Sequence, residues 1–222
     1  MKLGVLFSGG KDSTYAAWLA KKQGNELACL ISIFSENPES YMFHTPNIDK
    51  VKKQAEVMEI PLIIQKTKGV KEAELEDLEN ALKKAKQRYK IRGIVSGALA
   101  SNYQIERISK ICKKLKIKSL TPLWDRDEIE YLNELIKNNF KIIIVGVFAY
   151  PLDEKWLGRK IEDRFVNEVK ILKEKYKIHP AGEGGEFETF VLDCPLFKRS
   201  LKVIKTKISG EGNSWKMEIE VV

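Results

Sequence analysis

Short apolar runs alternate with stretches of helical periodicity along the first two-thirds of the chain. Residues 3–7, 27–34, 62–65, 93–96 and 142–147 read as strands. Between them, residues 13–22, 48–58, 72–89, 105–115 and 128–138 carry the spacing of amphipathic helices. The strand runs are continuous in Ile, Val and Leu, as expected of strands covered on both faces. That rhythm predicts an α/β fold, a doubly wound parallel sheet with right-handed crossovers. The pattern changes over residues 119–124, where Pro122 and Trp124 mark an irregular link. Beyond one more strand and helix lie a long helix at 161–176, glycine-rich loops, and two β-like runs at 201–208 and 215–222. Gly210-Glu211-Gly212-Asn213 reads as the hairpin between those runs. The expected organisation is a parallel-sheet domain over 1–120 and a smaller α+β domain over 121–222.

Composition narrows the class. The 222 residues are 43% hydrophobic and 32% charged, enough apolar material for one large core or two small ones. No apolar run approaches the ~18 residues of a membrane span, and the apolar start is too short for a signal segment. Cys29, Cys112 and Cys194 are far apart and form no CxxC pair, which argues against a disulfide framework, zinc ribbon or iron–sulfur cluster. A cytoplasmic protein is therefore expected. The net charge of +8 is uneven: 22 basic against 13 acidic residues over 1–118, and 17 against 18 over 119–222. The basic half suits a polyanion such as ATP, RNA or a ribonucleoprotein surface. Lysine-rich solvated helix faces account equally for the stretches 83–92 and 110–118.

Chemistry is concentrated in three strings. Ser8-Gly9-Gly10-Lys11-Asp12-Ser13 follows the first strand and opens a helix. It has neither Walker nor dinucleotide spacing. It does combine glycines for close backbone approach, hydroxyl donors, a cation and a helix N-terminus, the ingredients of an anion site. Asp12 is placed to hold Mg²⁺ or to cap the helix. Val95-Ser96-Gly97-Ala98-Leu99 ends a strand, where ligands of open α/β sheets sit. Gln104 and Arg107 lie three apart on the next helix. In Glu183-Gly184-Gly185-Glu186-Phe187-Glu188-Thr189, an extended backbone would point Glu186 and Glu188 to one side. Such a cluster suits Mg²⁺, ammonium capture or general base work, and a solvated acidic loop is the plainer alternative.

The first string resembles the S-G-G-x-D-S loop of the N-type ATP pyrophosphatases (PP-loop). This implies a Rossmann-like, adenine nucleotide alpha hydrolase-like fold and cleavage of ATP between its α- and β-phosphates. Together with Met42-Phe43-His44-Thr45, the Gly97 to Arg107 stretch, Leu123-Trp124, Trp156-Leu157-Gly158, the acid loop, Asp193 and Pro195, the whole chain resembles the diphthine–ammonia ligase family. One departure is Ser109, where relatives usually carry a glutamate. Longer relatives continue into extra domains, so this chain looks like the minimal catalytic form.

The resemblance implies ATP-dependent amidation of diphthine on translation elongation factor 2 by ammonium. An acyl-adenylate would form first, with AMP and pyrophosphate released. It assigns the β- and γ-phosphates to Ser8, Gly9, Gly10, Lys11 and Ser13, Mg²⁺ to Asp12, and adenine to the backbone at Ser32, Ile33 and Phe34. His44, Gly97, Gln104 and Arg107 complete the nucleotide candidates. Lys11, Asp12, Glu183, Glu186 and Glu188 are the catalytic candidates, and the acid loop, with Tyr103, Trp124 and Phe187, would receive the cationic group or the ammonium. No membrane or direct nucleic-acid contact is implied, and a homodimer is left open. The remaining readings are a PP-loop enzyme modifying tRNA and a non-catalytic ATP sensor. The absent CxxC pairs weigh against a thiolation enzyme, and the three carboxylates against a mere binder.

Overall fold

The fold was taken from a computed structural model, which describes residues 1–35, 50–70 and 74–222. Five parallel strands form the first sheet: β1 (Lys2–Leu6), β2 (Glu26–Ser35), β3 (Leu62–Thr67), β4 (Gly93–Val95) and β5 (Lys118–Leu120), in the order β3-β2-β1-β4-β5. Four helices cross between them: α1 (Lys11–Lys22), α2 (Val51–Met58), α3 (Glu74–Tyr89) and α4 (Asn102–Lys114). Alternate positions of the strands serve opposite layers. Leu3, Val5 and Leu30 lie in a core with Ala16, Ala17 and Ala20 of α1 and Val51, Ala55 and Met58 of α2. Cys29, Ile31, Ile33 and Ile94 belong to another, with Leu78 and Leu82 of α3 and Ile108 and Ile111 of α4. Both faces are dry, which is why the strands read as unbroken apolar runs.

The rest of the chain builds a second sheet. Helix α5 (Glu128–Lys137) starts at Asp127, whose carboxylate accepts from the Ile129 and Glu130 amides at 2.9 and 2.8 Å. Then follow β6 (Lys141–Val147), α6 (Asp163–Tyr176), β7 (Phe187–Asp193), β8 (Val203–Glu211) and β9 (Ser214–Val221). The four strands pair antiparallel in the order β7-β6-β9-β8.

Two expectations are corrected here. The strand expected at 142–147 does not join the parallel sheet; it is the interior strand β6 of the second one. The fifth place is taken by β5, whose three residues overlap the start of the stretch read as an irregular link. Residues 187–193, expected as loop and apolar run, form a full strand.

Helix α1 joins the halves. Its small residues face the first sheet, while the Tyr15 ring meets Tyr131 at 5.6 Å and Phe140 at 5.2 Å. One continuous core therefore runs from Leu3 and Val5 through α1 and α5 to Ile142, Ile144 and Val191.

Candidate active site

At the end of β1 the chain turns through the Ser8–Ser13 string into α1. Ser8 N–H donates to Ser13 Oγ at 3.2 Å, and the two hydroxyl oxygens lie 3.1 Å apart. Gly10 is the N-cap and offers no side chain, so no cap closes the helix start. Lys11 N–H is taken by Thr189 Oγ1 of β7 at 3.1 Å. The Lys11 side chain is only 3% exposed, with Nζ 2.9 Å from Asp12 Oδ2. The other Asp12 oxygen accepts from Tyr131 Oη at 2.8 Å. Burial, and then the Asp12 charge, push the Tyr131 phenol well above its usual range, so it stays a donor.

A cavity of about 300 Å³ opens at the carboxyl ends of β1 and β4, where the strand order reverses. Its apolar lining includes Leu6, Ile31, Ile33 and Ile108, and Ser96 and Gln104 are among its polar points. Ser96 Oγ is buried there and has no hydrogen-bond partner. The loop residues Ser8, Gly10, Lys11, Asp12 and Ser13 line the same cavity, as do Glu183, Gly185, Glu188 and Thr189.

The three acid-loop carboxylates have separate environments. Glu183 Oε1 accepts from Ala100 N–H at 3.0 Å and Leu99 N–H at 3.3 Å, tying the loop to the segment after β4. Glu186 does not line the cavity. It lies in the turn before β7, and its Oε1 accepts from His179 N–H at 2.9 Å. The expected pairing with Glu188 fails because strand alternation begins only at Phe187. Glu188 does face the cavity, and its Oε2 is buried with no hydrogen-bond partner. Burial pushes its carboxyl up to about 8, with Lys216 drawing it partly back. Both residues stand opposite Gly146, one on each flank of β6.

Sequence reasoning missed Gln54. This α2 side chain is fully buried, and its amide donates to Gly9 O at 2.9 Å and to Val191 O at 2.8 Å. Val191 N–H also donates to Gly9 O at 3.1 Å, so the loop is tied to β7 through one three-way contact. A Cβ on Gly9 would sit 2.3 Å from Gln54 Oε1 at a φ of +81°. The first glycine is thus required by this clamp whether or not it approaches an anion. Gln54→Met keeps the volume and removes both donors. It is expected to lower stability by about 1–3 kcal/mol and weaken ATP binding, measured by denaturant titration and calorimetry.

Residues 1–119 match the diphthamide synthase N-terminal domain, and residues 127–221 the diphthamide synthase C-terminal domain. The chain belongs to the diphthamide synthase family. It is 34% identical over 227 residues to the diphthine–ammonia ligase of Bos taurus, covering 94% of this chain and 85% of that protein. The Mus musculus diphthine–ammonia ligase is 35% identical, with 91% and 83% covered. That of Homo sapiens is 34% identical, with 94% and 85% covered.

The remaining candidates fall into two groups. Ile33, Gly97 and Gln104 line the cavity with the loop. Gly97 does so for a steric reason: a Cβ there would lie 2.5 Å from Asp12 C and 2.6 Å from Ser13 N, both backbone atoms. Gly97→Ala must displace the loop, and a loss of about 1–3 kcal/mol is expected in thermal unfolding. Ser32, Phe34 and Arg107 do not line the cavity. Ser32 Oγ donates to Phe7 O at 2.6 Å, Phe34 packs on the α1-side core, and the Arg107 guanidinium lies 3.3 Å over the Tyr103 ring. Among the aromatic candidates, Phe187 is buried with Lys11 Nζ 5.5 Å from its ring, while Trp124 is 39% exposed. His44 falls outside the described residues. Among the described residues no helix is long and apolar enough to cross a membrane.

Proposed function

We propose that this chain catalyses ATP-dependent amidation of the diphthine carboxylate on translation elongation factor 2 by ammonium. The carboxylate attacks the α-phosphorus of ATP, pyrophosphate leaves, and ammonia displaces AMP from the acyl-adenylate. One observation carries the reading: the Ser8–Ser13 string and the Glu183–Thr189 stretch, about 170 residues apart, line one cavity. In this account residues 1–120 hold the nucleotide and residues 121–222 supply the acceptor side.

The apolar lining of Leu6, Ile31, Ile33 and Ile108 receives the base, with Ser96 Oγ and Gln104 as its polar contacts. The uncapped start of α1, the Ser8 and Ser13 hydroxyls and Lys11 take the β- and γ-phosphates, leaving the α-phosphorus toward the acid loop. Lys11 stabilises the charge that develops on departing pyrophosphate. Asp12 fits Mg²⁺: it lines the cavity, each oxygen has one donor and a lone pair to spare, and this ion is commonly held by one carboxylate plus phosphates. The ion would supply charge neutralisation on the phosphates. Glu188, with Oε2 buried and lacking a hydrogen-bond partner and its pKa raised to about 8, accepts the proton of ammonium as it becomes a nucleophile. Glu183 and Glu186 act as braces that hold the acid loop in place.

Neither a tRNA-modifying reading nor a sensor draws support from the family match, both of whose domains are those of diphthamide synthase. The test incubates the protein with ATP, ammonium and elongation factor bearing diphthine. AMP is expected only with all three present. ADP as the product, or AMP formed with bulk tRNA in place of the factor, would overturn the proposal.

A further inference from the structure

Strand β8 is the outer strand of the second sheet and, among the described residues, pairs only with β9. It runs for nine residues and is exposed along nearly its whole length, with Ile204 61% and Ile208 50% exposed. An open edge of this kind presents unpaired N–H and C=O groups, and proteins usually blunt it with proline, short length or unanswered charge. β8 has no proline, and its lysines are answered within the sheet. Lys205 stands opposite Glu220 and Lys207 opposite Glu218.

The hairpin settles which backbone groups are open. A two-residue turn at 212–213 makes 211 and 214 the closing hydrogen-bonded pair. By alternation 209 and 207 also bond to β9, so the groups of 206, 208 and 210 point outward. An identical strand running antiparallel along this edge must therefore set even residues against even ones. A dyad at 206 puts Lys205 against Lys207 twice, and a dyad at 207 puts Lys207 against itself. A dyad at 209 sets Lys207 against Glu211, but it shortens the overlap to five residues and puts Ile208 against Gly210. With the dyad at 208, Lys205 of each copy faces Glu211 of the other, Lys207 faces Ser209, and Ile208 meets Ile208. That register alone joins opposite charges and an apolar pair; the full nine-residue overlap, with the dyad at 207, joins neither.

We infer that β8 is a self-pairing edge, and that the chain forms a twofold dimer in which two second sheets join at Ile208. The partner is a second copy because the strand carries both halves of the Lys205–Glu211 match at self-complementary positions, as an isologous contact requires. No β8 residue lines the cavity, so the dimer is separable from the chemistry.

Sedimentation equilibrium of the full chain is expected to show a mass rising with concentration from 25.5 kDa toward twice that value. Lys205→Glu and Glu211→Lys each turn two attractive contacts into repulsive ones and should weaken the dimer by roughly tenfold or more. The double exchange should restore it to within about threefold. ATP turnover per chain reports that each variant is folded. A short bismaleimide should cross-link Ile208→Cys and not Ile204→Cys, whose two copies would sit roughly 27 Å apart. Cys29, Cys112 and Cys194 are buried and add little background. A single-chain mass at every concentration would overturn the inference. So would a dimer indifferent to both charge reversals, or cross-linking at 204 in place of 208.

Discussion

Lys11→Met is expected to lower AMP release by at least about a hundredfold, the scale on which removal of one preorganised charge-stabilising group acts. Among the described residues that line the cavity, Lys11 is the one basic side chain. Its ammonium is almost wholly withdrawn from water, where a charge acts more strongly on a neighbouring phosphate. Methionine keeps the apolar stem against Phe187, and Asp12 retains its Tyr131 hydrogen bond and is 30% exposed, so the chain should stay folded. Single-turnover measurement of AMP, with circular dichroism as the folding control, checks this. An undiminished rate would remove Lys11 from the mechanism.

Glu188→Gln is expected to act on rate and stability in opposite directions. As the proton acceptor for ammonium, Glu188 should contribute about 10²–10⁴-fold. The variant should recover as pH rises and free ammonia replaces ammonium. In the wild-type chain the rate should climb through about pH 8, where the carboxyl ionises. For stability, the folded chain binds this proton more tightly than the unfolded one. The contribution is complete below the ordinary glutamate range and is lost as pH rises through about 8. Glutamine cannot ionise, so at pH 9 the variant should be more stable than wild type, by on the order of a few kcal/mol. Near pH 4 the two should converge. Paired melting and rate profiles across this range would contradict the assignment if the variant were less stable at alkaline pH or kept full activity at pH 7.

How legible these features were depended on how local their causes are. The alternation of apolar runs and amphipathic helices located β1, β2, β3 and β4 because each strand and crossover helix carries its own pattern. β6 was misplaced since Ile142, Ile144 and Val147 enter one core while Ile143 and Val145 enter another, so it is covered on both faces like a parallel strand. β5 is too short to stand out from its surroundings. Ser8 through Ser13 was visible as a consecutive string, and so were the acid-loop residues. Gln54 was not: its partners Gly9 and Val191 lie 45 and 137 positions away, and a glutamine on an amphipathic helix ordinarily faces water. Glu186 and Glu188 differ because one precedes the strand start and the other follows it, a boundary no side-chain pattern marks.

The account turns on direct attack of the substrate carboxylate on the α-phosphorus of ATP bound by the Ser8–Ser13 turn. Diphthine labelled with heavy oxygen in its carboxylate measures this directly, by mass spectrometry of the released nucleotide. One labelled oxygen should appear in AMP for each diphthamide formed. Label found in inorganic phosphate, or AMP carrying none, would contradict it.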